Sequence, residues 1–193
     1  MPPVPRLSAY PKQINLRDGS TVTLRPMEQA DKDELLQFFL KVPEDDRYYL
    51  KEDVTSPKVI ERWAKELDYN RALPLLAVSD GRVVADATLV RHRSGARRHI
   101  GEVRIVVEPS YRNRGLGTLL LNELVLIAYH TGLERLTIEA VAEREETAIQ
   151  TAERVGFVRL ALLPQHCKDS GGKPQDLVIL ELPLNKWYEW WQF

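Results

Sequence analysis

Hydrophobic and polar positions along the chain switch repeatedly between a period of two and a period near 3.6 residues. Thr21-Val22-Thr23-Leu24-Arg25 alternates polar and apolar side chains, as a strand with one buried face does, and Pro26 ends it. Leu35, Leu36, Phe39 and Leu40 form a helical stripe. Asp31 with Glu34 three residues on predicts a capping box at the start of that helix. Ser56-Pro57 opens a second helix as an N-cap followed by proline, and Val59, Ile60, Trp63 and Leu67 are its apolar positions. Leu73–Ser79, Arg82–His92 and Ile100–Glu108 read as an antiparallel meander. Asp80-Gly81 is its tight hairpin turn and Ser94-Gly95 its second turn. A leucine-rich helix runs from Gly115 to about His130, with Gly132 as its C′ glycine. Then come a strand at Leu136–Val141, a helix at Glu145–Val155 with Gly156 beyond it, and strands at Phe157–Leu163 and Leu177–Leu182.

The order β-α-α-β-β-β-α-β-α-β-β predicts a mixed α/β (α+β) fold, a mostly antiparallel central sheet flanked by helices with one strand–helix–strand crossover. Residues 1–17 are proline-punctuated and read as an N-terminal surface arm, 18–183 as one domain, and 184–193 as a Trp-rich tail helix. Trp187, Trp190 and Trp191 share a helical face there. That face packs on the domain or, alternatively, forms a homodimer contact.

At 193 residues and 44% hydrophobic, the chain is long enough to bury a substantial core. A net charge of −1 argues against a nucleic-acid-binding surface. The one cysteine, Cys167, excludes a disulfide framework and a cysteine-rich zinc site, and no metal is expected. With no apolar run of membrane-spanning length and no secretory signal, the expected location is cytoplasmic.

The chemistry concentrates where the third meander strand meets the leucine-rich helix, at Val106-Val107-Glu108-Pro109-Ser110-Tyr111-Arg112-Asn113-Arg114-Gly115-Leu116-Gly117-Thr118. Gly115 and Gly117 remove Cβ atoms where a helix begins, leaving first-turn N–H groups open to an anion. A P-loop would need Lys and then Ser or Thr after its second glycine, and Thr118 follows directly. A dinucleotide fingerprint would need a small residue where Leu120 stands. Residues 112–118 therefore read as a phosphate cradle of another kind. Seven arginines against two glutamates between Arg91 and Arg114 suit a polyanionic ligand.

The pattern R-x-x-G-x-G behind V-x-P, between strand and helix, resembles the acetyl-CoA loop of the GNAT N-acyltransferase superfamily. The resemblance extends over residues 18–183. Leu24-Arg25-Pro26 with Asp31 is similar to the family's opening, Ala148-Ile149 and Val155-Gly156-Phe157 to a later segment, and Asp176–Leu182 to the closing strand. Asp18–Asp31 also resembles the acyltransferase domains of bacterial protein lysine acetyltransferases. Two positions depart from the family: Glu145 stands where Asn is common, and Ala152 where a Tyr would protonate the leaving thiolate.

The resemblance implies acetyl-CoA as cofactor and an amine acceptor, small molecule or protein. It implies that Arg112, Asn113, Arg114, Gly115, Leu116, Gly117 and Thr118 hold the pyrophosphate, and that Val106 and Val107 pair with the pantetheine arm between splayed strands. A lysine amine, with a reference pKa of about 10.4, needs a base. Glu102 is the first choice, with an expected raised pKa, against a structural pairing with Arg104 or Arg91. Glu139 on the neighbouring strand is the runner-up. His166 and Cys167, placed in a loop, and His92 and His99, flanking a turn, are not expected to act. A degenerate fold that binds acyl-CoA as a sensor without turnover is the rival reading, kept open by Ala152.

Overall fold

The structure is a computed structural model, and it describes residues 7–184. The Trp face of the tail lies outside the described residues. The strands are β1 (Lys12–Asn15), β2 (Thr21–Pro26), β3 (Ala72–Ser79), β4 (Arg82–Arg91), β5 (Ile100–Val107), β6 (Arg135–Val141), β7 (Val158–Lys168) and β8 (Pro174–Pro183). The helices are α1 (Lys32–Lys41), α2 (Glu44–Arg47), α3 (Pro57–Lys65), α4 (Leu116–His130) and α5 (Glu146–Val155). The strands form one eight-stranded sheet in the order β1-β2-β3-β4-β5-β6-β8-β7. All neighbours are antiparallel except β5 and β6, which the α4 crossover joins in parallel.

Most predicted elements are present, and their local causes are visible. Asp80 and Gly81 form a two-residue turn with φ of 49° and 76°, the left-handed pair that a tight β3–β4 hairpin requires. Three readings are corrected. Lys12–Asn15 belongs to the sheet rather than to a surface arm, pairing with Thr21–Leu24 as an edge strand. Asp31 does not cap α1: its carboxylate takes both guanidinium nitrogens of Arg25 at 2.6 Å and the Glu28 N–H at 2.7 Å, so it braces the chain before the helix. His166 and Cys167 lie within β7, not in a loop.

Each face of the sheet has its own core. On one face, α4 and α5 bury Leu116, Leu120, Leu124, Val125, Ile149 and Ala152 against Leu75, Ala85, Ala87, Leu89, Val103 and Leu136. On the other, α1 and α3 bury Leu35, Phe38, Phe39, Ile60 and Ala64 against Met27, Leu76 and Val83. Removing such side chains from water stabilises by roughly 1.5–3 kcal/mol each, which holds the sheet between its two helix layers.

β5 and β6 pair over only three positions, Ile100↔Arg135, Gly101↔Leu136 and Glu102↔Thr137, and then diverge. Gly101 lies at this junction, tight against leucines of β4, of β6 and of the turn that precedes β6. A Cβ added there would sit 2.7 Å from a Leu133 methyl, 2.9 Å from a Leu136 methyl and 3.0 Å from a Leu89 methyl. Those leucines are buried, so their tips have no room to retreat. Gly101→Val is expected to lower unfolding stability by about 1–3 kcal/mol, the usual cost of overpacking. Urea denaturation checks this; an unchanged midpoint would show slack at the junction.

Candidate active site

Register and the period of two place the site. Pairs directly opposite one another share a face. Asp86↔Val106, Thr88↔Arg104 and Val90↔Glu102 link β4 to β5, and Glu102↔Thr137 links β5 to β6. Asp86, Thr88, Glu102, Arg104, Thr137 and Glu139 therefore point to the α1/α3 side of the sheet, and they fall beyond the apolar cluster those helices cover. The result is a polar floor beside the point where the strands part.

Glu102 is the centre of that floor. One of its oxygens accepts from Arg104 Nε at 2.8 Å and from Lys51 Nζ at 2.7 Å. Lys51 comes from the segment between α2 and α3, and its Nζ also lies 3.3 Å from Glu139 Oε2. The expected raised pKa is corrected. Burial does push the Glu102 carboxyl up, but the hydrogen bonds from Arg104 and Lys51 outweigh it and hold the group below the ordinary carboxylate value. The structural pairing with Arg104 is present; Arg91 instead lies buried on the opposite face, with its Nε unpartnered.

Asp86 is a site residue that the sequence reading missed. Burial pushes its carboxyl up to about 7, against a hydrogen bond from Thr88 Oγ1 at 3.1 Å and the nearby Arg104 charge. The signal for it was Ala85-Asp86-Ala87-Thr88, two polar residues at strand spacing in an otherwise apolar run. Burial separates Asp86 from Glu102, one carboxyl titrating near neutrality and the other held ionised, a division that suits acid–base work.

The loop after β5 has the shape of an anion cradle. Gly115 is the N-cap of α4 with a left-handed φ of 86°. An added Cβ at Gly115 would lie 3.1 Å from the Arg17 side chain, whereas one at Gly117 would meet nothing within 4 Å. Gly117 thus faces open space beside the unpaired first-turn amides of α4, and that opening fits a pyrophosphate. Leu116 is buried and anchors the helix start, while Thr118 is half-buried. Asn113 takes φ of 60°, which turns the backbone into the helix.

The arginines are less available than their count suggests. Arg114 pairs with Asp18 at 2.8 Å and lies over the Tyr111 ring, so it braces the loop. Arg112 donates from Nε to the Val107 carbonyl at 3.0 Å and from a terminal nitrogen to Asp46 at 2.7 Å. Asp46 also binds Arg144 at 2.6 Å, so α2 spans the opening from the end of β5 to the β6–α5 turn. Burial raises the Asp46 carboxyl, but both arginines hold it below its usual value. Beside Arg144, a cavity of about 190 Å³ is lined by Asp45, Tyr49, Arg144, Asp169, Ser170 and Gly171.

The two family departures have structural explanations. Glu145 accepts the Val141 N–H at 2.6 Å, so it shapes the β6–α5 turn, and burial raises its carboxyl. Ala152 is 1% exposed within the α4/α5 core. Within β7, the Cys167 thiol contacts the Gln175 carbonyl at 3.5 Å.

Asp86 makes stability depend on pH. Its carboxyl titrates at about 7 when folded and near the ordinary aspartate value of about 3.9 when unfolded. Between those values the folded state binds the extra proton, so stability falls as pH rises through that window. Asp86→Asn removes this slope. The variant should gain on the wild type between about pH 5 and pH 8 by on the order of 1–2 kcal/mol, discounted for the residue's partial exposure. Urea denaturation at both pH values measures it, and parallel changes would place the titration elsewhere.

Comparison with known proteins agrees with this geometry. The model of the Acetyltransferase (GNAT) family matches residues 32–157. Acetyltransferase Pat of Mycolicibacterium smegmatis is 26% identical over 143 residues, 72% of this chain. The match spans 42% of that relative's length. The GNAT domain of Streptomyces lividans PAT superposes with a TM-score of 0.69 at 22% identity, covering 89% of this chain and 96% of that one. The Salmonella typhimurium protein yncA, solved with acetyl-CoA, superposes with a TM-score of 0.71 at 20% identity, covering 84% and 94%. With its parted strands, open helix N-terminus and family match over most of the domain, this chain belongs to the GNAT acetyltransferase family, which uses acetyl-CoA.

Proposed function

We propose that this protein transfers an acetyl group from acetyl-CoA to a primary amine, by direct attack within a ternary complex. The observation that carries the reading is the parting of β5 and β6 immediately beyond Glu102, with the open N-terminus of α4 at the end of β5. Acetyl-CoA would supply the activated acyl group. The amides of Asn113 to Thr118 would hold its pyrophosphate, with Arg112 free to join once it leaves Asp46. The β6-facing edge of β5 has no strand partner from Val103 onward, so Val106 and Val107 offer main chain to the pantetheine amides. A main-chain N–H on that edge would polarise the thioester carbonyl.

Glu102 is the proposed base. Held ionised by Arg104, it is ready to accept a proton from an acceptor ammonium that takes the place of Lys51. Glu139 would hold the same ammonium from the other strand. Two carboxylates flanking one position favour a cationic acceptor, a small amine or a protein amine. The rival reading is an acyl-CoA-binding module without turnover, and the burial of Ala152 in the core favours it. It predicts cofactor binding without thioester consumption.

Two measurements test these assignments. Acetyl-CoA should raise the melting temperature by linkage. Gly117→Glu should abolish that rise while leaving the ligand-free melting temperature near the wild type, because its side chain enters open space rather than the core. Gly115 is the poorer test position, since its φ of 86° strains any other residue. A full shift in the Gly117 variant would move the phosphate site elsewhere.

Glu102→Gln should lower kcat on an amine panel by on the order of 10²-fold with acetyl-CoA binding retained. Glu139→Gln should cost less. Because the Glu102 carboxyl lies below its ordinary value, a rate limb near neutrality should survive in both variants. A wild-type kcat in Glu102→Gln would make the residue structural.

A further inference from the structure

The nitrogen nearest the two carboxylates belongs to the protein itself. Lys51 reaches from the α2–α3 segment across the polar floor and sets Nζ between Glu102 on β5, at 2.7 Å, and Glu139 on β6, at 3.3 Å. These two residues stand on the separate arms of the opening. Lys51 is a primary amine on a four-carbon tether, exposed along part of its length. Chemically it is an acceptor, and it occupies the position that the proposed acceptor would need.

From this placement we infer that Lys51 is an acetylation site modified within its own chain, an inference that rests on the proposed acetyl-CoA-dependent function. The Nζ ammonium first gives one proton to the Glu102 carboxylate at 2.7 Å, and from there to solvent. The freed lone pair attacks the thioester carbonyl carbon. A C–N amide bond forms and the C–S bond breaks. The second proton lost from nitrogen passes to the departing thiolate, leaving free coenzyme A thiol. The balance is one lysine ammonium and one acetyl thioester giving one acetyl-lysine, one thiol and one released proton, with no further reactant. Tethering turns this attack into an intramolecular event, with an effective concentration far above that of any free amine.

The product changes the site. Acetyl-lysine carries no charge, so Glu102 and Glu139 lose the cation they share. Glu102 keeps only Arg104, and the position between the carboxylates becomes open to an external amine.

The test uses the full chain with deuterium-labelled acetyl-CoA and no added acceptor. Proteolysis and mass spectrometry then locate the label. The initial rate at Lys51 should exceed that at exposed lysines such as Lys32, Lys58 and Lys173 by about ten-fold or more. The fraction labelled per unit time should not depend on protein concentration. Glu102→Gln should slow labelling of Lys51, as the loss of the proton acceptor at 2.7 Å requires.

Labelling of Lys51 no faster than at exposed lysines, or a per-molecule rate that rises with protein concentration, overturns the inference. Thermal shift with acetyl-CoA and turnover of an amine panel are read on the same preparation. If both are positive while Lys51 stays unlabelled, the inference alone falls. If both are negative as well, the proposed function falls with it.

Discussion

β5 and β6 share three register pairs and then part, and the candidate site depends on that early separation. Parallel strands joined by a helix must be bridged by a right-handed crossover, and α4 supplies it. β5 leaves the sheet through Pro109, which cannot donate to a ladder, and the chain turns at Asn113 and Gly115 into α4. Gly101 lets the strands close at the base of the opening, where any Cβ would press on buried leucines. Close contact at the base and separation beyond it are thus one arrangement. The unpaired edge is flanked by unpaired helix amides at one end and by the carboxylates of Glu102 and Glu139 at the other.

Charge is arranged around that opening with little left unmatched. Arg104 and Lys51 neutralise Glu102; Arg112 and Arg144 neutralise Asp46; Asp18 neutralises Arg114. The exposed pairs among these are individually weak. Their effect is positional: they hold α2 and the segment carrying Lys51 across the site. Asp86 and Glu145 are exceptions, carboxyls with no cation in hydrogen-bonding contact among the described residues, and burial raises both, Asp86 to about 7.

Local chemistry made much of this legible in the sequence. The β3–β4 turn followed from Asp80-Gly81, because few other pairs accept two left-handed residues. The start of α4 followed from Gly115 and Gly117, and the two faces of the sheet from period-two alternation. β1 was not legible: Lys12-Gln13-Ile14-Asn15 is short, polar and close to Pro11, and an edge strand needs little apolar patterning. Lys51 was invisible because its partners lie 51 residues away and on another strand, and no spacing rule reaches across such a distance. The direction of the Glu102 shift was missed although Arg104 stands only two residues along the strand. Burial alone predicts a rise, and the hydrogen bonds from Arg104 and from the distant Lys51 reverse it. Asp86 left a trace in its polar spacing, but that spacing does not reveal how little water reaches a carboxyl.

The three-pair junction between β5 and β6 also bears on cooperativity. β1 to β5 form one hydrogen-bonded ladder and β6 to β8 another, with a short parallel seam between them. The seam contributes few backbone bonds, so the shared apolar core beneath α4 and α5 must help couple the two ladders. A ligand whose own amides bridge the opening would extend that seam. With the seam lengthened, the amide hydrogens of the two ladders would exchange more nearly as a single unit than in the free protein.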